Sequence, residues 1–386
     1  MGLVIGALPD FPWDALGPYA ESARAHPRGI VDLSVGTPVD PTPKVVRDAL
    51  AAASDSPGYP TTHGTADLRA AVVEWFARRR GVAGLDPAAV LPTVGSKELV
   101  AWLPSQLGLG AGDVVLHPAT AYPTYDVGAR LAGARPVAVD DVVARLAPGA
   151  PGADDVRLVW LNSPGNPDGS VLGVEELAAV VAAARAAQAR TGKPVVVASD
   201  ECYAELAWDE PWASEGVPSI LDPRVTGGDL TGLLAVYSLS KQSNLAGYRA
   251  AFVAGDRALI APLLELRKHA GMIVPGPVQA AIAAALRDDE HVAEQRERYW
   301  ARRTVLRGAL EASGHVVDGS QAGLYLWTRP QGGPQDCWTT VSAFADRGIL
   351  VAPGAFYGPA ASGHVRIALT ASDEHVAEAA RRLAEG

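Results

Sequence analysis

Cysteine is scarce in this sequence, and its scarcity excludes two kinds of architecture. The 386 residues include only two cysteines, Cys202 and Cys337, which lie far apart. Such a chain has no disulfide framework and no CxxC pair for a metal, and it fits a reducing, cytoplasmic environment. The eight histidines form no HxxxH or HExxH pattern, so we expect no metal site.

Long apolar runs and excess positive charge are missing as well. The most apolar helical run, residues 177–184, is too short to cross a bilayer. The N-terminus has no basic n-region, and Pro9 and Pro12 interrupt it early, so it does not read as a signal peptide. Acidic residues outnumber basic ones by 43 to 33, which gives a net charge of −10. We therefore expect neither nucleic acid nor a membrane as a partner.

The middle of the chain alternates between strand and helix patterns. Apolar runs typical of buried strands begin near residues 113, 156, 194, 232 and 248. Helical spacing covers 96–107 and 175–190, and the second of these helices has an acidic first turn. Continuous apolar strands separated by helices predict an α/β fold with a mostly parallel sheet, covered on both faces.

A second, smaller α/β domain is predicted after about residue 275. A long charged helix spans roughly 288–311, and short strands follow near 323–328 and 364–370. We expect the N-terminal segment to pack with this part. The prediction is a large domain over 42–275 and a small domain formed by 1–41 and 276–386.

Polar segments follow three of the predicted strands at their carboxyl ends. They cover residues 162–169, 200–203 and 238–241. In parallel sheets, ligands bind beyond the carboxyl ends of the strands. Because the pattern recurs at three strand ends, it is stronger evidence for a binding site than any one of the motifs.

The last of these segments is the most informative. Strand 232–237 ends at Ser238, Ser240 and Lys241, and Arg249 follows eight residues after the lysine. Two hydroxyls and a guanidinium supply the donors and the positive charge that a phosphate needs. A lysine beside that phosphate can form a Schiff base with an aldehyde. Together they suggest a phosphorylated aldehyde cofactor, for which pyridoxal 5'-phosphate (PLP) is the obvious candidate.

The other two segments contain groups that suit the same cofactor. Asp200 follows a buried strand, where a carboxylate is costly unless it is paired, and near PLP it would keep the pyridine nitrogen protonated. Tyr203 and Asn166 could hydrogen-bond the phenolic oxygen. Each residue also has an ordinary explanation: a helix N-cap or ion pair for Asp200, a core tyrosine for Tyr203, and a simple turn around Asn166.

Other positions could contribute to the same site. The amides of Ser96 and Lys97 open a helix and could bind phosphate, although a serine N-cap is common. Tyr122 could stack on the cofactor ring or merely cap the core. Arg366 interrupts an apolar strand, where it would either form a structural ion pair or clamp a carboxylate with two parallel hydrogen bonds.

These motifs together resemble those of the class I and II aminotransferases, which are PLP enzymes of fold type I. They agree with that family in kind and in order, from Gly36 and Tyr59 near the start to Arg366 near the end. The resemblance covers nearly the whole chain, and its most specific parts are the Lys241 segment and the pair Asp200 and Tyr203. It implies a large domain with a mostly parallel seven-stranded sheet and a smaller α/β domain.

The resemblance implies a role for each cofactor-binding residue. Lys241 would carry PLP through a Schiff base and later move the substrate proton. Asp200 would contact the pyridine nitrogen, Asn166 and Tyr203 the phenolic oxygen, and Tyr122 the face of the ring. The phosphate would be bound by Ser238, Arg249 and the amides of Ser96 and Lys97.

It also implies how the substrates, an amino acid and a 2-oxo acid, would be held. Arg366 would clamp the substrate α-carboxylate with help from Asn166 and the backbone of Gly36. Tyr59 would reach the phosphate bound in a neighbouring subunit. The family pattern therefore implies a homodimer with shared active sites.

Within the family, the chain is most similar to the actinobacterial succinyldiaminopimelate aminotransferases. The similarity lies in segments 8–14, 31–41 and 57–62. It implies the reaction of N-succinyl-LL-2,6-diaminopimelate and 2-oxoglutarate to N-succinyl-2-amino-6-oxopimelate and L-glutamate. That reaction would belong to lysine and diaminopimelate biosynthesis.

Other functions compete with this one. An aromatic, branched-chain or aspartate aminotransferase, or a C–S β-lyase, would need the same core residues. A PLP-binding regulator would usually carry a basic DNA-binding segment, which the chain lacks. A nicotinamide reductase is suggested only by the sheet and by glycines 108, 110 and 112, which precede a strand instead of opening a helix.

Overall fold

The computed structural model describes residues 8–332 and 336–385. Residues 1–7, 333–335 and 386, which the sequence analysis assigned to the small domain, lie outside the described residues. The strands are β1 Val31–Asp32, β2 Val90–Val94, β3 Val114–Pro118, β4 Arg135–Val139, β5 Val156–Asn162, β6 Val196–Asp200, β7 Leu233–Ser238, β8 Ala250–Gly255, β9 His315–Asp318, β10 Tyr325–Pro330, β11 Ile349–Leu350, β12 Ala352–Pro353 and β13 Val365–Ala368.

The α-helices alternate with these strands through the middle of the chain and dominate its two ends. They are α1 Gly17–Ala25, α2 Lys44–Ala52, α3 Ala66–Arg79, α4 Ser96–Gln106, α5 Thr124–Leu131, α6 Val142–Leu146, α7 Val174–Thr191, α8 Trp212–Glu215, α9 Pro223–Thr226, α10 Arg257–Ala270, α11 Gly276–Arg287, α12 Glu290–Ala312, α13 Cys337–Asp346 and α14 Asp373–Ala384.

The principal sheet has seven strands in the order β2-β8-β7-β6-β5-β3-β4. The pairs from β7 to β4 are parallel, and β8 runs antiparallel to both of its neighbours. The predicted fold, a mostly parallel seven-stranded sheet in an α/β protein, is confirmed. The central strand β7 is buried along its whole length, which is why it forms an unbroken apolar run in the sequence.

Helices cover both faces of this sheet, and β5 shows the two sides clearly. Val159 and Leu161 pack into one apolar core with helices α3, α7 and α11. Leu158 and Trp160 point the other way, into a second core with α4, α5 and α10. Since successive residues of a strand face opposite sides, both layers come from one short sequence.

The C-terminal part builds a smaller unit around an antiparallel sheet in the order β12-β13-β10-β9. The N-terminal strand β1 pairs in parallel with β11 of this part. Val31, Leu326, Phe344 and Val365 lie in the same apolar core, separate from the two cores of the large sheet. The N-terminal segment therefore packs with the C-terminal unit.

The limits of the two domains stay a prediction. Helix α11 begins just after the predicted boundary at residue 275, yet Ile282 and Leu286 lie in a core of the large sheet. Its neighbours are α2 and α3. We therefore propose that the large domain extends to the end of α11 at Arg287. Within 8–332 and 336–385, no helix combines the length and the apolar character needed to cross a bilayer.

Candidate active site

A cavity lies at the carboxyl ends of β5, β6 and β7. These strands are neighbours. The last residues of β5 and β6, Asn162 and Asp200, pair with each other, and Asp200 also pairs with Val236, two residues before the end of β7. The cavity has a volume of about 530 Å³, a size typical of small-molecule sites. Every predicted site residue except Tyr59 lines it: Gly36, Ser96, Lys97, Tyr122, Asn166, Asp200, Tyr203, Ser238, Lys241, Arg249 and Arg366.

Lys241 is half-buried in the turn that follows β7. Its Nζ donates a hydrogen bond to the carbonyl oxygen of Gly36. Burial lowers the pKa of Lys241, and the positive charges of Arg366 and Arg249 lower it further. A lysine with a lowered pKa has more neutral amine at a given pH, and the neutral amine is the form that attacks an aldehyde or accepts a proton.

Asp200 ends β6 and faces the cavity. Its carboxylate accepts hydrogen bonds from the Tyr125 hydroxyl at 3.0 Å and from the Cys202 amide at 3.2 Å. Burial raises the pKa of Asp200, and these hydrogen bonds offset part of the increase. The carboxylate has no cation partner among the described residues, so a protonated ring nitrogen would supply the missing positive charge.

Arg366 lies in the middle of β13 and is 2% exposed. Nη1 donates to Asn166 Oδ1 at 3.0 Å, and Nη2 donates to the carbonyl oxygen of Ser34 at 2.7 Å. No carboxylate pairs with it, and its Nε has no hydrogen-bond partner in the described part of the chain. A buried guanidinium without an anion fits an arginine that binds the carboxylate of a ligand.

Asn166 connects this arginine to Tyr203. Its Nδ2 lies 3.5 Å from the Tyr203 hydroxyl, and its backbone N–H is held by Asn162 Oδ1 at 2.9 Å. Burial raises the pKa of Tyr203 well above its usual value, so the hydroxyl keeps its proton at neutral pH. The pair therefore presents hydrogen-bond donors to the cavity.

A cradle of donors lies at the start of α4. Gly95, which precedes the helix, has φ +85°, and any Cβ there would overlap the Arg249 guanidinium. The Ser238 hydroxyl donates to Ser240 Oγ at 2.8 Å, and both serines line the cavity with Arg249 and Ser96. Free N–H groups of a helix start, two hydroxyls and a guanidinium form a site for a dianionic phosphate.

The mouth of the cavity is aromatic. The Lys97 Nζ donates to the Tyr122 hydroxyl at 3.2 Å and lies 5.7 Å from the ring centre of Phe11. The rings of Trp13 and Tyr122 are 5.8 Å apart. Lys97 forms no ion pair with a carboxylate of the described residues, and it is exposed.

Tyr59 is not brought into this cavity. It lies in the loop between α2 and α3, and its side chain is fully exposed. Its predicted contact with the phosphate of a neighbouring subunit stays a prediction.

Several residues of the cavity wall were not predicted from the sequence. Phe11 and Trp13 lie in segment 8–14, which supported the resemblance, but they were given no role, because they reach the site only through the packing of the N-terminal segment. Tyr325, on β10, was within a predicted strand but was given no role, although a hydroxyl-bearing ring in an otherwise apolar strand is a signal. Cys202 lies in the predicted polar segment 200–203, Tyr125 lies three residues after Tyr122, and both contact Asp200.

Comparison with known proteins decides the family. The family model for class I and II aminotransferases matches residues 28–383, which is nearly the whole chain. The chain belongs to this family. The aminotransferase fold and the family predicted from the sequence are therefore confirmed.

Two relatives are more than half identical to this aminotransferase. The 4-dedimethylamino-4-oxo-anhydrotetracycline transaminase OxyQ of Streptomyces rimosus is 56% identical over 376 residues, covering 97% of this chain and 99% of its own. A probable aminotransferase of Mycobacterium tuberculosis is 57% identical over 382 residues, covering 99% and 87%. A solved structure of a probable N-succinyldiaminopimelate aminotransferase from Thermus thermophilus superposes with a TM-score of 0.84 at 28% identity, covering 97% and 100%.

The residues of the aminotransferase cavity fit PLP. The donor cradle of Gly95, Ser238 and Arg249 suits its phosphate, and the unpaired carboxylate of Asp200 suits its ring nitrogen. Lys241 lies on the cavity wall, and burial lowers its pKa. Within the described ranges, no three His, Cys, Asp or Glu side chains are placed to hold a metal ion.

Proposed function

We propose that this aminotransferase uses PLP to transfer an amino group between L-glutamate and a 2-oxo acid with a long side chain that carries at least one further carboxylate. The specific pair we propose is N-succinyl-2-amino-6-oxopimelate and N-succinyl-LL-2,6-diaminopimelate. The observation that carries the proposal is the buried Arg366, which has no anion partner among the described residues and faces the same cavity as Lys241.

Each residue has a task in this proposal. The phosphate cradle and Asp200 would hold PLP, which, when bound, withdraws electrons from the substrate α-carbon. Arg366 binds the substrate α-carboxylate and so fixes the direction of the Cα–H bond. The neutral amine of Lys241 would accept that proton and hold it for return during the transfer. The low pKa of Lys241 supports this role, since an ammonium group could not accept a proton.

The second carboxylate of the substrate would bind at the cavity mouth. Lys97 is the cation there, and Phe11, Trp13 and Tyr122 provide an apolar wall along which a long side chain can lie. Arg24, in the last turn of α1, does not line the cavity. The name of the Thermus thermophilus relative supports the same substrate class.

A second candidate comes from the relative OxyQ. Its name specifies an oxo group on an anhydrotetracycline ring system instead of a 2-oxo acid, and it is 56% identical over almost the full length. The aromatic mouth of the cavity would also suit a polycyclic substrate. The two functions differ in their need for Arg366, because a ring ketone has no α-carboxylate for it to bind. The homodimer with shared sites and the cytoplasmic location both stay predictions.

The test is a steady-state assay of the PLP-loaded protein with succinyldiaminopimelate and 2-oxoglutarate. Aspartate, aromatic and branched-chain donors, cystathionine and a polycyclic oxo compound are assayed beside it. We expect the succinylated diacid to have the highest kcat/KM. Lys97→Ala should raise the KM of the diacid by about tenfold, as for one lost charged hydrogen bond, and leave the KM of alanine unchanged.

Three further variants control this assay. Lys193→Ala removes an exposed lysine remote from the cavity and should behave as wild type. Lys241→Ala should abolish turnover together with the chromophore that borohydride reduces. Arg366→Lys should lower kcat/KM for every amino acid. Faster turnover of the polycyclic compound, unaffected by Arg366→Lys, would replace the first proposal by the second.

A further inference from the structure

Tyr325, the first residue of β10, contacts three of the residues that were assigned to the site. It is buried, and its hydroxyl oxygen lies 3.3 Å from that of Tyr203. Its ring centre lies 3.9 Å from the central guanidinium carbon of Arg366. Its hydroxyl also fills the space beside Gly36, where any Cβ would overlap it. The ring thus contacts Arg366, whereas the hydroxyl contacts Tyr203 and lies beside Gly36.

The ring of Tyr325 fixes the plane of the Arg366 guanidinium. Stacking on one face of the guanidinium leaves its edge, with the N–H donors, directed towards Asn166, Ser34 and the cavity. Tyr357 also lies near this guanidinium, at 5.1 Å. Its hydroxyl is buried without a hydrogen-bond partner in the described chain, and it does not line the cavity.

The hydroxyl of Tyr325 determines which way the Tyr203 proton points. Arg366 occupies Asn166 Oδ1, so the amide nitrogen of Asn166 faces the Tyr203 oxygen. A hydroxyl oxygen can accept two hydrogen bonds and donate one. If Asn166 and Tyr325 both donate to Tyr203, all partners are satisfied and the proton of Tyr203 is left for an acceptor in the cavity.

The charges around Tyr325 support this direction of donation. Burial alone would raise its pKa, but the guanidinium charge of Arg366, the neighbouring Lys241 and the hydrogen bond with Tyr203 together lower it. The pKa of Tyr203, by contrast, is raised by burial. The more acidic hydroxyl is the better donor, and the less acidic oxygen is the better acceptor.

We propose that Tyr325 is a positioning residue of this aminotransferase. Its ring holds Arg366 in the orientation that binds a carboxylate. Its hydroxyl donates to Tyr203, so that Tyr203 donates in turn to the phenolic oxygen of the cofactor. The inference rests on the proposed use of PLP but not on the identity of the amino-acid substrate.

Tyr325→Phe separates the two roles, because it keeps the ring and removes the hydroxyl. Without the hydrogen bond donated by Tyr325, Tyr203 stabilises the negative charge of the phenolic oxygen less well. Because that charge is less stabilised, it holds the proton on the Lys241 nitrogen more strongly. The visible chromophore of bound PLP should therefore change its absorption at a higher pH, by about half a unit to one unit. The KM for the amino acid should stay within about twofold of the wild-type value, since phenylalanine keeps the ring that stacks on Arg366.

Two further variants complete the test. Tyr325→Leu removes the ring as well and should add a rise of about tenfold in the KM of the amino acid, as the Arg366 guanidinium loses its support. Tyr357→Phe deletes a buried tyrosine hydroxyl beside the same arginine and should leave the chromophore titration unchanged. Thermal melting of each variant establishes that it is folded.

The inference is overturned if Tyr325→Phe titrates as wild type, or if Tyr357→Phe shifts the transition equally. A wild-type protein that titrates normally but transaminates no dicarboxylic substrate would contradict only the proposed substrate. A wild-type protein that acquires no chromophore with PLP would overturn the proposed function and this inference together.

Discussion

At the scale of single residues, the site depends on buried charges that are left without a counter-charge. Asp200 has no cation partner and Arg366 has no anion partner among the described residues. An unpaired buried charge costs several kcal/mol, and stable proteins keep one mainly where a ligand completes the pair. The carboxylate of Asp200 therefore marks where a cationic group of a ligand would bind, and the guanidinium of Arg366 marks where a ligand carboxylate would bind.

Lys241 leads to a prediction about pH. Because burial and nearby arginines lower its pKa, its neutral amine forms at a lower pH than that of an ordinary lysine. The rate at which the protein without cofactor takes up PLP should rise with pH through this lowered pKa and level off below about 10.4, the value of a free side chain. Stopped-flow absorbance with PLP measures it.

The reference for this experiment is Nα-acetyl-lysine mixed with PLP under the same conditions. A midpoint for the protein at or above that of the free amine would contradict the lowered pKa. Lys241→Ala should show no pH-dependent uptake of PLP, whereas the uptake rate of Lys193→Ala should have the same pH midpoint as that of the wild type.

At the scale of elements, the site is assembled by the ends of strands and by the start of one helix. Strands β5, β6 and β7 are adjacent and parallel, so their polar carboxyl ends meet at one edge of the sheet. Helix α4 begins beside this edge, where Arg249 packs over Gly95. The unpaired N–H groups of the helix start and the guanidinium thus face the same point.

Gly95→Ala should weaken PLP binding by about tenfold or more, which corresponds to about 1.4 kcal/mol. The added Cβ would displace the Arg249 guanidinium from the cradle. Gly108, just beyond the other end of α4, is the matched control, since it also has a positive φ, +74°, but nothing within 4 Å of a Cβ.

Both alanine variants should melt at a lower temperature, because both place a side chain in a left-handed conformation. Only Gly95→Ala should raise the dissociation constant for PLP, measured by absorbance titration of the cofactor-free protein. An equal loss of affinity in Gly108→Ala would show that backbone strain, and not the cradle, is responsible.

At the scale of the whole molecule, the site lies where the large sheet meets the small unit. Lys241 and Asp200 come from the large sheet, whereas Gly36, Tyr325 and Arg366 come from the part that packs around the small sheet. Residues more than 300 positions apart are in direct contact, as Arg366 and Ser34 show. A relative movement of the two parts would therefore change the distance between the carboxylate clamp and the lysine.

Tyr59 gives the prediction for the assembly. Its side chain is fully exposed in one subunit, and we expect a homodimer in which it contacts the phosphate of the neighbouring site. Tyr59→Phe should raise the dissociation constant for PLP by about tenfold, the effect of one hydrogen bond to a charged group. Absorbance titration measures the affinity, and analytical ultracentrifugation measures the mass.

Tyr19→Phe is the control for this variant, because the Tyr19 ring stacks on Trp338 of its own subunit at 5.4 Å. It should leave the PLP affinity unchanged. A monomeric mass at concentrations where the enzyme is active would contradict the shared site, as would an unchanged affinity in Tyr59→Phe.

The amino-acid sequence alone indicated the central strands, several helices and much of the chemistry. The central strands were readable because burial on both faces makes them continuously apolar, and their polar ends pointed to Lys241, Asp200 and Asn166. Strands β2 and β4 were not predicted. They are the two edges of the large sheet, where Pro92 and Arg135 interrupt the apolar pattern because only one side needs a partner strand.

Which side chains form the mouth and the inner wall of the cavity depends on the tertiary structure. The aromatic mouth of Phe11 and Trp13, and the contact of Tyr325 with Tyr203 and Arg366, join segments that are far apart in the chain. Such contacts depend on how the small unit packs on the large sheet, and no local spacing of residues records that packing. Local patterns determine secondary structure through short-range geometry, whereas a binding surface is formed by long-range contacts.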